Sequence, residues 1–304
     1  MPWLVTLIAW LVTLIALVLL AGCGGSDVRL STPAVAVDEP PQIRVEGLDA
    51  GRRVELRAAW RAHDGTRSTS TTDLRADGIA GLSSPPSARA GPPVLALGGS
   101  EGGHYGVATA AAALAAGGHP VLALGYVGEP GLRKRLLRVP VETVAEGASR
   151  LREASGRRDL VLMGASRGGE LALLAASLAP ALAEGVIALV PGSRVGFSEP
   201  GRGPAWTWEG QPLAPREPIA VDRIPGRVLA VGAGQDTAWL SGAYVDEIAE
   251  RDRVEPVQYE EAGHAIGVPL PYLPATPTIL TGGTPEADER ARRDLWPRIL
   301  DFLG

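Results

Sequence analysis

Cysteine is almost absent from this chain: one residue, Cys23, in 304. A lone cysteine leaves no internal disulfide to build. Lysine is equally scarce, Lys134 being the only one, so arginine supplies nearly all of the positive charge. That imbalance is read as codon bias rather than as function. The formal net charge is −5, which leaves no broad basic surface for nucleic acid. No lysine or arginine precedes Arg29, although an export signal ordinarily opens with positive charge.

A long apolar run is present instead. Residues 3–22 are apolar apart from Thr6 and Thr13, and WLVTLIA occurs at 3–9 and again at 10–16. The run ends Leu20-Ala21-Gly22-Cys23. This resembles a bacterial lipoprotein signal peptide with its lipobox. The resemblance implies cleavage before Cys23, lipidation of its sulfur, and an outward-facing membrane anchor. Residues 1–22 would then be the signal segment and 23–32 a flexible tether. The alternative is an uncleaved spanning helix facing the cytoplasm, for which ~20 apolar residues suffice.

Residues 33–80 read as a small antiparallel β domain. IRVEGL (43–48) and RVELRAAW (53–60) alternate, and His63-Asp64-Gly65 marks a turn. GLSSPPSARAGPP leads out of it, and 81–92 reads as a linker. From residue 93 the pattern changes. Strand-like runs at 93–98, 120–126, 159–164, 185–190, 227–232 and 255–259 alternate with helical runs at 105–117, 141–155, 168–179, 238–250 and 287–303. The strands are almost continuously apolar, as a parallel sheet covered on both faces requires. Pro297 predicts a kink or restart in the last helix. Residues 192–224 break the alternation and are rich in Gly, Pro and Trp.

DLVLMGASRGGELALLAASLA (159–179) places Ser166 in a Gly-x-Ser-x-Gly hinge between a strand and a helix. Such a hinge is a nucleophile elbow. With 39 glycines in the chain, chance matches are not rare, and Gly98-Gly99-Ser100-Glu101-Gly102 fits as well. Position separates the two. Ligands sit beyond the carboxyl ends of parallel strands. Ser166 follows the third such strand, Asp236 the fifth and His264 the sixth. Ser, Asp, His is the α/β-hydrolase order. Ser100 follows the first strand, where that fold places its oxyanion loop. Ser166, Asp236 and His264 are therefore the expected catalytic residues. Gly99, Ser100 and Arg167 are expected to supply oxyanion donors from the backbone. A site of this kind needs no metal and no organic cofactor.

Other candidates are weaker. Trp206, Trp208, Trp239 and His104 could line an acyl pocket. The aromatics could equally be core, and His104 a helix-start residue. His63 is expected in a solvated turn and His119 in packing. Glu170, one turn into the helix, either complements the helix dipole or orients groups near Ser166.

GASRGGELALLAASL, AWTWEGQPLAP (205–215), GQDTAWLSGAYVDEIAER (234–251) and AGHAIGVPLPYLP (262–274) resemble segments of the acyl-CoA thioesterase and bile acid-CoA:amino acid N-acyltransferase family. The resemblance covers most of 93–303. It implies an α/β-hydrolase fold preceded by an N-terminal β-sandwich, here shortened. It implies thioester chemistry at Ser166, Asp236 and His264. Conjugating members carry cysteine at the nucleophile, so serine favours hydrolysis over transfer. Two departures stand out. VDEPPQIRVEGLDAGRRVELRAAWRAHDG (37–65) matches only the first half of the sandwich, and a lipoprotein faces away from cytosolic acyl-CoA. The expectation is a serine hydrolase of acyl thioesters. The alternatives are an exported carboxylesterase of oxygen esters, an N-acyltransferase, or an inactive surface lipoprotein that binds ligands.

Overall fold

The computed structural model describes strands at 15–16, 27–30, 43–46, 53–61 and 67–75. From residue 91 it describes everything except 102–103, 130–131, 199–200, 202 and 271–280. The chain forms two compact units, Met1–Leu82 and Ser83–Gly304.

In the first unit β1 (Ile15–Ala16) pairs antiparallel with β4 (Arg53–Arg61), and β2 (Asp27–Leu30) with β3 (Ile43–Glu46). The strand β5 (Arg67–Arg75) returns antiparallel along β4, from Arg61 opposite Arg67 to Arg53 opposite Arg75. The Thr- and Ser-rich run of β5 suits a strand because β-branched residues fit a pleated surface. The rest of the apolar run 3–22, Cys23 and His63 lie outside the described residues.

The second unit is built on six parallel strands: β6 (Val94–Leu97), β7 (Val121–Leu124), β9 (Val161–Ala165), β10 (Gly185–Leu189), β13 (Arg227–Ala233) and β14 (Val254–Tyr259). Their order across the sheet is β14-β13-β10-β9-β6-β7. The chain runs outward from β6 to β7, then returns to β9 and builds the other way. The switch point therefore lies between β6 and β9, where a doubly wound sheet opens its ligand crevice. This is an α/β-hydrolase fold.

Period-two alternation sends successive side chains to opposite faces. Val94 and Ala96 meet α1 (Tyr105–Ala116) and α5 (Pro285–Leu303) through Val107, Leu114, Leu295 and Ile299. Leu95 and Leu97 face the layer of α2 (Glu142–Ser155), α3 (Arg167–Leu178) and α4 (Ser241–Ala249). Each fully buried Leu or Val contributes ~1.5–3 kcal/mol. Helix α3 is buried almost all round, from Gly168 to Ser177. Its outer cover comes from the segment that broke the alternation. There β11 (Trp206–Trp208) pairs with β12 (Gln211–Pro212) and with β8 (Val139–Pro140) in a small three-stranded sheet.

Of the kink or restart expected at Pro297, the restart is absent. Helix α5 runs unbroken through Pro297 to Leu303. Ala291, Leu295, Ile299 and Leu303 form one buried stripe. Packing along that stripe holds the helix where proline removes a single backbone donor. Among the described residues no helix is long and apolar enough to cross a membrane.

Candidate active site

Strand β9 ends at Ala165 and α3 begins at Arg167, so Ser166 alone makes the turn between them. It does so at φ 55° and ψ −119°, a backbone region that costs ~1–3 kcal/mol for a non-glycine residue. The flanking glycines make the turn possible. A Cβ on Gly164 would sit 2.1 Å from the Gly168 carbonyl oxygen. One on Gly168 would sit 2.3 Å from the carbonyl oxygens of Leu97 and Gly98. The helix start is thus pressed against the ends of both β9 and β6, and the Ser166 side chain projects at the switch point.

His264 Nε2 lies 2.9 Å from Ser166 Oγ, and His264 Nδ1 lies 2.7 Å from Asp236 Oδ2. A carboxylate can only accept, so the Nδ1 proton belongs on the Asp236 side and Nε2 faces the hydroxyl as acceptor. The Asp236 side chain is fully buried, while that of His264 retains 16% exposure. Burial of the aspartate is met by donors. Oδ2 accepts from Ser241 Oγ at 2.6 Å, and Oδ1 from the amides of Ala238 at 2.9 Å and Trp239 at 3.2 Å. The loop between β13 and α4 therefore folds around the carboxylate and fixes both of its oxygens. The arrangement can pass the Ser166 proton to His264 while Asp236 stabilises the resulting imidazolium.

The four tryptophan and histidine candidates separate. Trp239 stands at the site, edge-on to the His264 ring at 5.8 Å and donating to the Val190 carbonyl at 3.0 Å. Trp206 belongs to the core: it is fully buried and lies beside Tyr126 at 5.8 Å. Its indole N–H donates to Glu170 of α3, which turns it toward that helix. Trp208 packs partly buried on the edge of the same cluster. His104 starts α1, with its Nδ1 2.7 Å from Glu129 Oε1 and its amide donating to the same oxygen. His119 is buried, with Nδ1 3.1 Å from the Pro92 carbonyl oxygen.

Glu170 does more than complement a dipole. Fully buried, it accepts from the Gly196 amide at 2.6 Å, the Trp206 indole at 2.5 Å and Arg167 at 2.8 Å. Burial raises its pKa above the ordinary glutamate value, opposed by the Arg167 charge and the Trp206 and Gly196 donors. Arg167 also donates to the Phe197 carbonyl at 3.2 Å and lies 5.0 Å over the Trp239 ring. A chain of contacts thus runs from Glu170 through Arg167 and Trp239 to His264.

In the oxyanion loop the Gly99 amide has a partner within the chain. It donates to the Glu101 carboxylate at 2.8 Å, so in this structure it is not open to a ligand. The carboxylate reaches it because the turn after β6 folds Glu101 back over Gly99 and Gly106. Ser100 is exposed in that turn, and Arg167 occupies the first position of α3. Among the described residues no group of three or more His, Cys, Asp or Glu is placed to hold a metal ion.

Residues 208–304, which hold Asp236 and His264, match the family model described as BAAT / Acyl-CoA thioester hydrolase C terminal. The chain is 27% identical to acyl-coenzyme A thioesterase 1 of Mus musculus, with 64% of this chain and 55% of that one covered. It is 26% identical to acyl-coenzyme A thioesterase 1 of Rattus norvegicus, with 88% and 73% covered. The chain thus spans about half the length of the mouse relative. Among solved structures it is similar to a probable hydrolytic enzyme of Pseudomonas aeruginosa, at TM-score 0.46 and 13% identity, covering 93% of this chain and 95% of that one. A CIB-like hydrolase of Thermoplasma acidophilum gives TM-score 0.42 at 15% identity, covering 90% and 100%.

Within the matched BAAT / acyl-CoA thioester hydrolase segment, the structure adds residues that the sequence reading passed over. Asp288 and Arg292 are buried on α5 at i,i+4 spacing. Asp288 Oδ1 accepts from the Gly263 amide at 2.7 Å, and Arg292 donates to the Ala265 carbonyl at 2.7 Å. They hold the backbone on both sides of His264. Ser241 steadies Asp236 in the same way. The available signal was an acid and a base four apart, each directly after an apolar-stripe position (Ala287 and Ala291), where an exposed ion pair is the ordinary reading.

Proposed function

We propose that this chain is a serine hydrolase that cleaves acyl thioesters. The observation that carries the reading is the 2.9 Å approach of His264 Nε2 to a serine hydroxyl on a strained elbow, with His264 Nδ1 2.7 Å from a buried aspartate. The matched C-terminal segment supports thioesters as the substrate class.

The chemistry follows from the geometry. His264 takes the Ser166 proton as Oγ attacks the acyl carbonyl carbon. The tetrahedral intermediate collapses, the C–S bond breaks, and His264 gives its proton to the departing thiolate. A water, deprotonated by His264, attacks the acyl-serine ester. Its collapse releases the carboxylic acid and returns the proton to Ser166. Asp236 keeps the imidazole in the required tautomer throughout.

A matched thioester and oxygen ester of the same short acyl chain test the substrate class. The thioester is expected to have the higher kcat/KM by about tenfold, equal to ~1.4 kcal/mol of transition-state preference. A faster oxygen ester would instead make the chain a carboxylesterase on the same machinery.

We further propose that Cys23 carries the lipid anchor, on the support of the Leu20-Ala21-Gly22-Cys23 pattern. One lipid chain binds a membrane marginally and two or three hold firmly. The mature protein is expected to begin at a lipid-modified Cys23, and Cys23→Ser to abolish that species. The intact mass of the purified chain decides it. An unmodified Cys23 in a chain starting at Met1 would end the lipoprotein reading. Export would place the site away from cytosolic acyl-CoA and make other thioesters its substrates.

A further inference from the structure

Tyr126 follows β7, the strand beside β6, and is buried to 2% exposure. Its hydroxyl reaches the carbonyl oxygen of Gly98 at 2.7 Å and that of Gly99 at 2.9 Å. One phenolic proton is thus shared between two consecutive peptide groups of the loop after β6. In a planar trans peptide the C=O and the N–H of the same unit point in opposite directions. The units concerned are Gly98–Gly99 and Gly99–Ser100. Holding both carbonyls inward turns the Gly99 and Ser100 amides outward, away from Tyr126.

The destination of one of these amides is visible. Gly99 N–H meets a carboxylate oxygen of Glu101 at 2.8 Å. Glu101 and Ser166 both approach Gly99: a Cβ there would be 2.5 Å from Glu101 Oε2 and 3.4 Å from Ser166 Cβ. A carboxylate oxygen therefore already occupies this donor, on a glycine that also approaches the nucleophile's Cβ.

We propose that Tyr126 is the positioning residue of the oxyanion loop: its hydroxyl, by holding the Gly98 and Gly99 carbonyls, aims the Gly99 and Ser100 amides at the transition state, and Glu101 occupies the Gly99 amide until substrate displaces it. The proposal rests on the serine-hydrolase reading. Tyr126 touches no substrate atom and acts through the loop. Fixed donors matter more to the transition state than to the ground state, because the charge they meet develops only there.

Tyr126→Phe removes the hydroxyl and keeps the ring that packs on Trp206. With a chromogenic thioester, kcat is expected to fall about tenfold, the scale of one orienting hydrogen bond, with KM unchanged. Affinity for a trifluoromethyl ketone, which forms a tetrahedral adduct, should fall by the same factor. Affinity for a thioether analogue, which has no carbonyl, should not move. A merely structural tyrosine would weaken both ligands together, and that outcome overturns the proposal. So does a Tyr126→Phe enzyme equal to wild type while Ser166→Ala is inactive, which leaves the serine-hydrolase reading standing. If Ser166→Ala keeps the wild-type rate, that reading falls and this one with it. Should Tyr126→Phe not fold, 3,5-difluorotyrosine at 126 keeps ring and hydroxyl. The fluorinated phenol still donates to both carbonyls, so kcat is expected to stay within about twofold of wild type; a loss as large as the tenfold expected of phenylalanine counts against the proposal.

Discussion

Ser166→Ala is expected to lose at least ~10³-fold in kcat, because removing a nucleophile that acts with its base leaves only the binding and oxyanion contributions. The rival Gly-x-Ser-x-Gly serine makes the comparison informative. Ser100 is exposed in the turn after β6, and His264 Nε2 meets Ser166 Oγ, not Ser100. Ser100→Ala keeps its backbone amide and should retain most of the activity. A fluorophosphonate probe is expected to label wild-type protein at Ser166, located by peptide mapping, and to leave Ser166→Ala unlabelled. An inactive Ser100→Ala beside an active Ser166→Ala would move the elbow to the wrong strand and remove the proposed mechanism. The fold should survive the substitution at 166. Alanine leaves one turn residue smaller and does not touch Gly164 or Gly168, whose missing Cβ atoms make the close approach of α3 possible.

His264→Ala should be nearly as damaging, and the Ser166→Ala/His264→Ala pair hardly worse than either alone. Groups that form one proton relay fail as a unit, so their losses do not multiply. Losses that did multiply would show two independent contributions and count against a shared relay. Asp236→Asn probes the third member differently. Its Oδ2 faces both His264 Nδ1 and Ser241 Oγ. An amide nitrogen turned toward the ring would donate to Nδ1 and force the proton onto Nε2, the wrong atom for accepting from Ser166. Turnover should fall by up to ~10⁴-fold, as that tautomer error has done in another serine hydrolase. Thermal unfolding should shift little by comparison. A collapse of the fold in Asp236→Asn would mean that the buried carboxylate serves packing before it serves the histidine.

Much of the architecture could be read along the chain, for a physical reason. Strands buried on both faces must be apolar at every position, so VLAL, VLMGA and GVIAL stand out against helices that need polar residues on one side. The same logic placed Ser166, Asp236 and His264 after strand ends, because polar residues directly after such runs have only the crevice side of the sheet to occupy. The small sheet of β8, β11 and β12 was not legible. Its strands are two or three residues long, too short for a period to show. Trp206 followed the same rule: nothing in AWTW distinguishes an aromatic that walls a pocket from one buried against Tyr126.

Sequence alone determined the layered α/β architecture, the Ser-Asp-His order and the glycine pair around Ser166, since each follows from apolar period, strand-end position or the absence of a Cβ. Only the tertiary structure decided what surrounds them. It turned Gly99 toward Glu101, put Tyr126 under the Gly98 and Gly99 carbonyls, and set Asp288 and Arg292 on either side of His264. These contacts join residues 2, 25 to 28 apart in the chain, and the long-range ones exist because sheet order places β7 beside β6 and packs α5 against the turn after β14. Local pattern carries periodicity and sterics. The partner of a buried polar group is chosen by which distant strand or helix the fold brings to within hydrogen-bonding distance.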